Sequence, residues 1–312
     1  MRVLITGAKG CIGTWCVRKL LDRGADVLIF DADARPSRLT LLLNDDELGA
    51  LRAETGSVED TGRVKSLVRE AGVTHILHLA ATLMPHCQQN PVHGGLVNVI
   101  GTLNVFEAAR DAGRPVRVVY ASSAAVWGPE EVYGSGLITE EDPLRPATHY
   151  GVFKQANEGN ARVFYSTNGI SSVGLRPWTV YGVGRDQGLT ADPTLAMRAV
   201  ARGEAFQVRL SGRMDLQYVG DVAETFVACL ESDLEGAHVF NLRGDVVEMS
   251  EFIALLGRLR PGAAARITAS GPQVPVAYRI DDAGLRAHFP RLPRTALEDG
   301  VRETIERFEA LK

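Results

Sequence analysis

Tyr150 and Lys154 stand four residues apart in the run His149-Tyr150-Gly151-Val152-Phe153-Lys154, a spacing that sets a phenol and an ammonium on one helix face. With five lysines and seven tyrosines in the chain, chance gives roughly 0.1 such pairs. A free tyrosine has a pKa of about 10, so it acts as a base near neutrality only beside a positive charge that holds the phenolate. Lys154 supplies that charge. A strand-like run, Val116-Arg117-Val118-Val119-Tyr120-Ala121, ends in Ser122-Ser123, and open α/β sheets present ligands at such strand ends. Ser123 is therefore expected to meet Tyr150. No GxSxG elbow is present and no histidine and carboxylate pair with Ser123, so it reads as a hydrogen-bonding group and not a nucleophile. The chemistry that suits such a trio is hydride transfer between a nicotinamide ring and a secondary alcohol or ketone.

A dinucleotide site is expected at the start of the chain. Val3-Leu4-Ile5-Thr6-Gly7-Ala8-Lys9-Gly10-Cys11-Ile12-Gly13 places Gly7, Gly10 and Gly13 where a strand turns into a helix. Gly7 permits the tight turn, Gly10 lets backbone N–H groups approach a pyrophosphate, and Gly13 lets helix and strand pack closely. The second strand ends in Asp31, 18 residues beyond Gly13, near the spacing for a ribose 2′-hydroxyl contact. A carboxylate there repels a 2′-phosphate and favours NAD over NADP, a choice that Arg35 and Arg38 soften. Lys9 reads as a solvated loop charge.

The elements that must carry these groups follow from the pattern of apolar runs. Strand-like stretches at 3–6, 26–31, 51–55, 74–80, 116–122 and 171–176 alternate with helical ones at 11–23, 60–71, 91–112 and 150–168. The strands are rich in Val, Leu and Ile throughout, as when helices cover both faces of a sheet. This predicts an α/β fold with a doubly wound parallel sheet of Rossmann type, and residues 1–176 as its dinucleotide-binding domain carrying the Ser/Tyr/Lys trio. Beyond 177 the pieces shorten, at 191–202, 220–231, 239–242, 250–259 and 296–311. Residues 177–312 are expected to form mainly a smaller C-terminal substrate-binding lobe over the carboxyl edge of the sheet, with some segments returning to it.

At 312 residues, 45% apolar, 23% charged and with a net charge of -4, the composition is that of a soluble globular protein without a nucleic-acid footprint. The chain shows neither a signal peptide nor an apolar run of membrane-spanning length, so a cytoplasmic location is expected. Cys11, Cys16, Cys87 and Cys229 lack CxxC spacing and read as free thiols. His75 and His78 lie three apart in a strand, hence on opposite sides, and no metal site is expected.

Taken together, Thr6-Gly7-x-x-Gly10-x-x-Gly13, His78-Leu79-Ala80-Ala81, Asn98 in Asn98-Val99-Ile100-Gly101-Thr102, Ser122-Ser123-Ala124-Ala125-Val126-Trp127-Gly128, Tyr150-x-x-x-Lys154 and Leu175-Arg176-Pro177-Trp178-Thr179-Val180-Tyr181-Gly182 resemble an extended short-chain dehydrogenase/reductase of the NAD-dependent epimerase/dehydratase type. The resemblance spans nearly the whole chain. It implies that Ser123 orients the reacting oxygen, Tyr150 exchanges its proton, and Lys154 lowers the tyrosine pKa while holding the nicotinamide ribose. It further implies cofactor contacts at Cys11, Ile12, Leu79, Ala80, Ala81, Asn98 and Pro177, with Ser57 and Val58 beside the adenine. A homodimer formed through the helices near 91–112 and 150–168 is also implied.

The second half departs from the nucleotide-sugar members. Where they commonly read Arg-Asp-Tyr/Phe-Ile-His-Val-x-Asp, this chain reads Met214-Asp215-Leu216-Gln217-Tyr218-Val219-Gly220-Asp221. Met214 replaces the arginine that grips the diphosphate. Arg213 cannot stand in, because a one-residue slip in a strand reverses the side chain. Thr179 occupies the place of a common asparagine. A smaller substrate without a nucleotide is the expectation: a sugar, sugar acid or polyol. Candidates for its wall are Thr82, Leu83, Met84, His86, Ser123, Ala124, Trp127, Trp178 and Thr179, with Arg185 able to bind a carboxylate. The leading reading is an NAD-dependent oxidoreductase of such a substrate. The alternatives are a UDP-sugar 4-epimerase that keeps its NAD and, in another class, a non-catalytic NAD sensor.

Overall fold

The computed structural model describes residues 1–311, the side chains of Ser37 and Leu189 excepted. Strands β1 (Arg2–Thr6), β2 (Asp26–Asp31), β3 (Arg52–Thr55), β4 (His75–His78), β5 (Arg117–Ala121) and β6 (Ser172–Arg176) follow the predicted apolar runs. The later strands are β7 (Thr179–Tyr181), β8 (Phe206–Val208), β9 (Arg213–Tyr218), β10 (Ala237–Asn241), β11 (Asp245–Glu248) and β12 (Ile267–Ala269). Seven of them build one parallel sheet in the order β10-β6-β5-β4-β1-β2-β3. The order reverses between β1 and β4, and there the carboxyl ends open a crevice.

Alternate residues feed two cores. Val3, Ile5, Leu77, Val119 and Val173 face one layer, with helices Cys11–Asp22 and Val219–Glu231 packed on it. Leu4, Leu28, Ile76, Val118 and Tyr120 face the other, covered by helices Thr61–Glu70 and Gly101–Arg110. Side chains on both faces are buried because the strand period of two sends neighbours in opposite directions.

Two predicted elements differ in detail. The single helix expected at 91–112 is broken into Pro91–Gly95, a π-turn at Leu96–Ile100 and Gly101–Arg110. Asn98 sits in the wide turn, its backbone carbonyl accepting bonds from Asn157 Nδ2 at 2.9 Å and Thr102 Oγ1 at 2.7 Å. Tertiary partners for that carbonyl stabilise the extra residue in the turn. The strand expected at 239–242 is β10, which crosses back to pair with β6. The remaining second-half strands form a small sheet, β11-β9-β7, and the pair β12-β8. No helix among the described residues is long and apolar enough to cross a membrane.

A buried ion pair joins the helix His149–Asn168 to the sheet. Glu158 accepts Arg176 Nε and Nη2, both at 2.8 Å, and Ser122 Oγ at 2.5 Å. The Arg176 guanidinium also lies 4.6 Å from the Trp127 ring centroid. Trp127 is wholly buried, so it is a core side chain and leaves the expected substrate wall.

Candidate active site

The turn after β1 is built for close approach. Gly7 has φ 69°, and a Cβ there would fall 2.5 Å from the Ala80 nitrogen, so only glycine lets β1 and the loop after β4 meet. Gly10 starts the helix Cys11–Asp22 without a side-chain cap and without an acidic residue in its first turn. Its first N–H groups are thus open to an anion, the arrangement that a dinucleotide pyrophosphate fits. Gly13, Cys11 and Ile12 lie on that first turn. Leu79 N–H donates to the Thr6 carbonyl at 3.0 Å, placing Leu79, Ala80 and Ala81 beside the glycine turn.

Asp31 closes the outer end. Its carboxylate accepts Lys9 N–H at 2.9 Å and Asp33 N–H at 3.0 Å, leaving lone pairs for a diol. Both nearby arginines are engaged elsewhere: Arg35 with Asp33 and Arg38 with Asp186. Lys9, expected in solvent, is 5% exposed and donates to the Asp33 carbonyl. The reason is the short path of the loop after β2 across the glycine turn. Ser57 spends its hydroxyl on Glu59, to which it donates at 2.7 Å. Val58 is buried beneath Gly101.

At the inner end, Thr148 caps the helix His149–Asn168 by accepting Gly151 N–H at 3.1 Å. A Cβ on Gly151 would lie 2.1 Å from the Ala125 carbonyl oxygen. That contact, invisible in the sequence pattern, brings the helix start, and Tyr150 with it, against the turn after β5 that carries Ser123. Ser123 Oγ also accepts Ala125 N–H at 3.1 Å. Lys154 Nζ lies 5.4 Å from the Tyr150 ring centroid and donates to the Ala121 carbonyl at 2.7 Å.

Desolvation pushes Tyr150 up to about 12, opposed by the Ser123 hydrogen bond and then by the Arg185 charge. Desolvation pulls Lys154 down to about 8. The cation that acts on the phenol is thus Arg185, from the second half of the chain. Buried His78, held between Thr6 Oγ1 and Thr102 Oγ1 at 2.6 and 3.0 Å, is pulled down to about 3 by burial and by Lys154. It stays neutral.

Asn98 is buried behind the loop after β4. Its amide accepts Thr82 N–H at 3.2 Å, and donates to the Thr82 carbonyl at 3.0 Å and to Cys87 Sγ at 3.3 Å. Both amide functions therefore hold the loop after β4.

The expected substrate wall is only partly assembled. Thr82 and Met84 are half-buried in the loop after β4. A Cβ on Gly188 would lie 3.5 Å from the Met84 carbonyl and 3.8 Å from Arg185 Nη2, so this loop adjoins the one after β7. Trp178 is half-buried and fixed at both ends, its N–H donating to Gln217 Oε1 at 3.1 Å and its Nε1 to the Ala277 carbonyl at 2.7 Å. Pro177 is buried and its carbonyl accepts Ala124 N–H at 2.9 Å. Ala124 itself is 3% exposed, packed with Val126 and Ile138, so its side chain serves the core instead of the wall. Thr179 is likewise fully buried, its hydroxyl without a partner. His86 is exposed and bonded to His93. Met214 is buried in β9, and Arg213 is exposed beside Glu248.

Residues 3–242 match the family described as "NAD dependent epimerase/dehydratase family". The UDP-glucose 4-epimerase of Mycolicibacterium smegmatis is 28% identical over 319 residues, covering 99% of this chain and 98% of that protein. UDP-glucuronate 4-epimerase 2 of Arabidopsis thaliana is 28% identical over 97% of this chain and 74% of its own length. Among solved structures, a UDP-glucose 4-epimerase from Thermus thermophilus in complex with NAD superposes with a TM-score of 0.85, at 28% identity and over 100% of both chains.

Proposed function

The chain belongs to the NAD-dependent epimerase/dehydratase family, an enzyme of the extended short-chain dehydrogenase/reductase type, and from that premise we propose that it moves a hydride to or from a secondary alcohol or ketone of a small carbohydrate-like substrate. Family membership sets the non-catalytic sensor reading aside. The observation that carries the proposal is the close approach of Gly151 to the Ala125 carbonyl, which sets Tyr150 against the turn that carries Ser123, with Lys154 Nζ 5.4 Å from the tyrosine ring. Ser123 orients the substrate oxygen, and Tyr150 takes its proton in oxidation or returns one in reduction. Bound NAD supplies a hydride acceptor and a positive ring that favours the phenolate. Lys154 and Arg185 add to that positive field.

The substrate is taken as a sugar, sugar acid or polyol lacking a nucleotide. Met214, buried where nucleotide-sugar members commonly carry an arginine, supports this, because a guanidinium is the strong anchor for a diphosphate. A UDP-sugar 4-epimerase with permanently held NAD is the second reading, favoured by the names of the relatives above. NADH formation with a panel of free sugars, sugar acids and polyols supports the first. Epimer formation from a UDP-sugar without added NAD overturns it in favour of the second. In either case Tyr150→Phe is expected to lower kcat by roughly 10²–10⁴, and full activity in that variant refutes the mechanism.

We also take the protein as a cytoplasmic homodimer. Val92, Leu96 and Ile100 are exposed at successive i, i+4 positions, and Val152 and Val163 are exposed on the Tyr150 helix, an apolar face suited to a second copy. The four cysteines are free thiols.

A further inference from the structure

Resting on the hydride-transfer reading, we propose that residues 182–188 form a strap across the dinucleotide crevice, latched by Arg38 and Asp186, and that opening of this latch gates the exchange of NAD.

The strap touches both lips of the crevice. Just beyond β7 the Val183 carbonyl accepts Trp15 Nε1 at 2.9 Å, and a Cβ on Gly184 would lie 3.8 Å from the Cys11 Cα. Trp15 and Cys11 belong to the helix that starts at the glycine turn after β1. Further along, a Cβ on Gly188 would lie 3.5 Å from the carbonyl oxygen of Met84, in the loop after β4. The sheet order reverses between β1 and β4. One short segment therefore runs from one side of the switch point to the other, over the place where an open α/β sheet holds a dinucleotide.

The ends and the middle of the strap are held differently. At one end Gly182 N–H donates to Thr194 Oγ1 at 3.2 Å, and at the other the Gly188 carbonyl accepts Ala191 N–H at 3.0 Å. Both ties stay within the second half of the chain. Gly182 and Gly188 have φ 130° and 83°, values open to glycine and strained for other residues, which suits them as the joints of a moving segment. The middle is fastened to the first half. Asp186 Oδ1 accepts Arg38 Nε at 3.0 Å and also Arg38 Nη2, while Arg38 Nη1 donates to the Lys9 carbonyl of the glycine turn at 3.1 Å. One guanidinium thus ties the strap to the floor of the cofactor site. The Asp186 side chain is 43% exposed, so water and salt reach the latch and it opens without unpacking the core. With the pair closed, a dinucleotide seated on the glycine turn lies beneath the strap. With the pair broken, the segment turns about its glycine joints and clears the lip formed by Cys11. Exchange of NAD in each turnover requires that opening, and permanent retention does not.

The test follows NADH binding and release in the full chain by stopped flow, release being read as the change in nicotinamide fluorescence when excess NAD is added. Wild type is expected to release NADH faster as salt is raised, because ions screen a part-exposed pair. Asp186→Asn keeps the shape and removes the charge. It is expected to speed release and binding alike by roughly tenfold and to abolish most of the salt response. Trp15→Phe, which keeps a ring but no donor for the Val183 carbonyl, should also speed release while leaving it salt-dependent. Unchanged release in Asp186→Asn overturns the proposal and leaves hydride transfer intact. Faster release with unaltered binding overturns it too, since that pattern belongs to a lost cofactor contact and not to a gate. A wild-type chain that takes up no NADH at all is a different result, in which the hydride-transfer reading fails and this inference with it.

Discussion

Asp215 shows how strongly a single position responds to the removal of water. Fully buried, it accepts Gly244 N–H at 2.8 Å and the Gln217 amide at 3.3 Å, yet desolvation lifts its carboxyl to about 7. A carboxyl raised above its ordinary value stabilises the fold while protonated, and that stability is lost as pH rises toward and through the folded value. The melting temperature of wild type relative to Asp215→Asn is therefore expected to fall between about pH 4 and pH 7, a loss on the order of 4 kcal/mol. A flat difference across that window refutes the assignment. Gln217 links this carboxyl to Trp178 N–H, so the same titration bears on a candidate substrate side chain. The Tyr150 and Lys154 pair was legible because its geometry is local to one helix. Arg185 was legible as a charge but not as an unpaired one, since its want of a counter-ion depends on Asp186 turning to Arg38, a residue 148 positions away.

Among elements, the helix His149–Asn168 carries the most. Its start meets the turn after β5 at Gly151, its second turn presents Lys154, and its third buries Glu158 against Arg176 and Ser122. Removing one partner of a buried ion pair leaves the other charged and uncompensated. Glu158→Ala is expected to destabilise the protein by about 3–5 kcal/mol, read by denaturant unfolding, whereas a loss below about 1 kcal/mol would place that pair among weak surface bridges. The strands and main helices of the first half could be read from the sequence because buried parallel strands and amphipathic helices have distinct periods. The π-turn at Leu96–Ile100 could not, because it depends on Asn157 and Thr102 competing for one carbonyl. The same holds for Asn98, whose motif position was plain while its partner, the Thr82 peptide, was not.

For the whole molecule, the exposed Val92, Leu96 and Ile100 beside Val152 and Val163 argue for two copies packed helix to helix. Leu96→Glu together with Ile100→Glu is expected to halve the mass measured by light scattering, without loss of helical signal. An unchanged mass would move the interface elsewhere. The parallel sheet was predictable in kind but not in its last member, since a four-residue, largely apolar run at 239–242 carries no mark of which neighbour it will join. That last member, β10, pairs with β6 and brings Asn241 to Arg176, whose Nη1 donates to Asn241 Oδ1 at 3.3 Å. A cut at residue 176 would strip β6 of this neighbour and leave its backbone as a raw edge, open to pairing with other chains. The two functional halves are consequently not separable modules. Exchange of the substrate-facing part between related enzymes, by engineering or by recombination, requires three junctions, one before β7 and one on each side of β10, because β11 and β12 pair with β9 and β8.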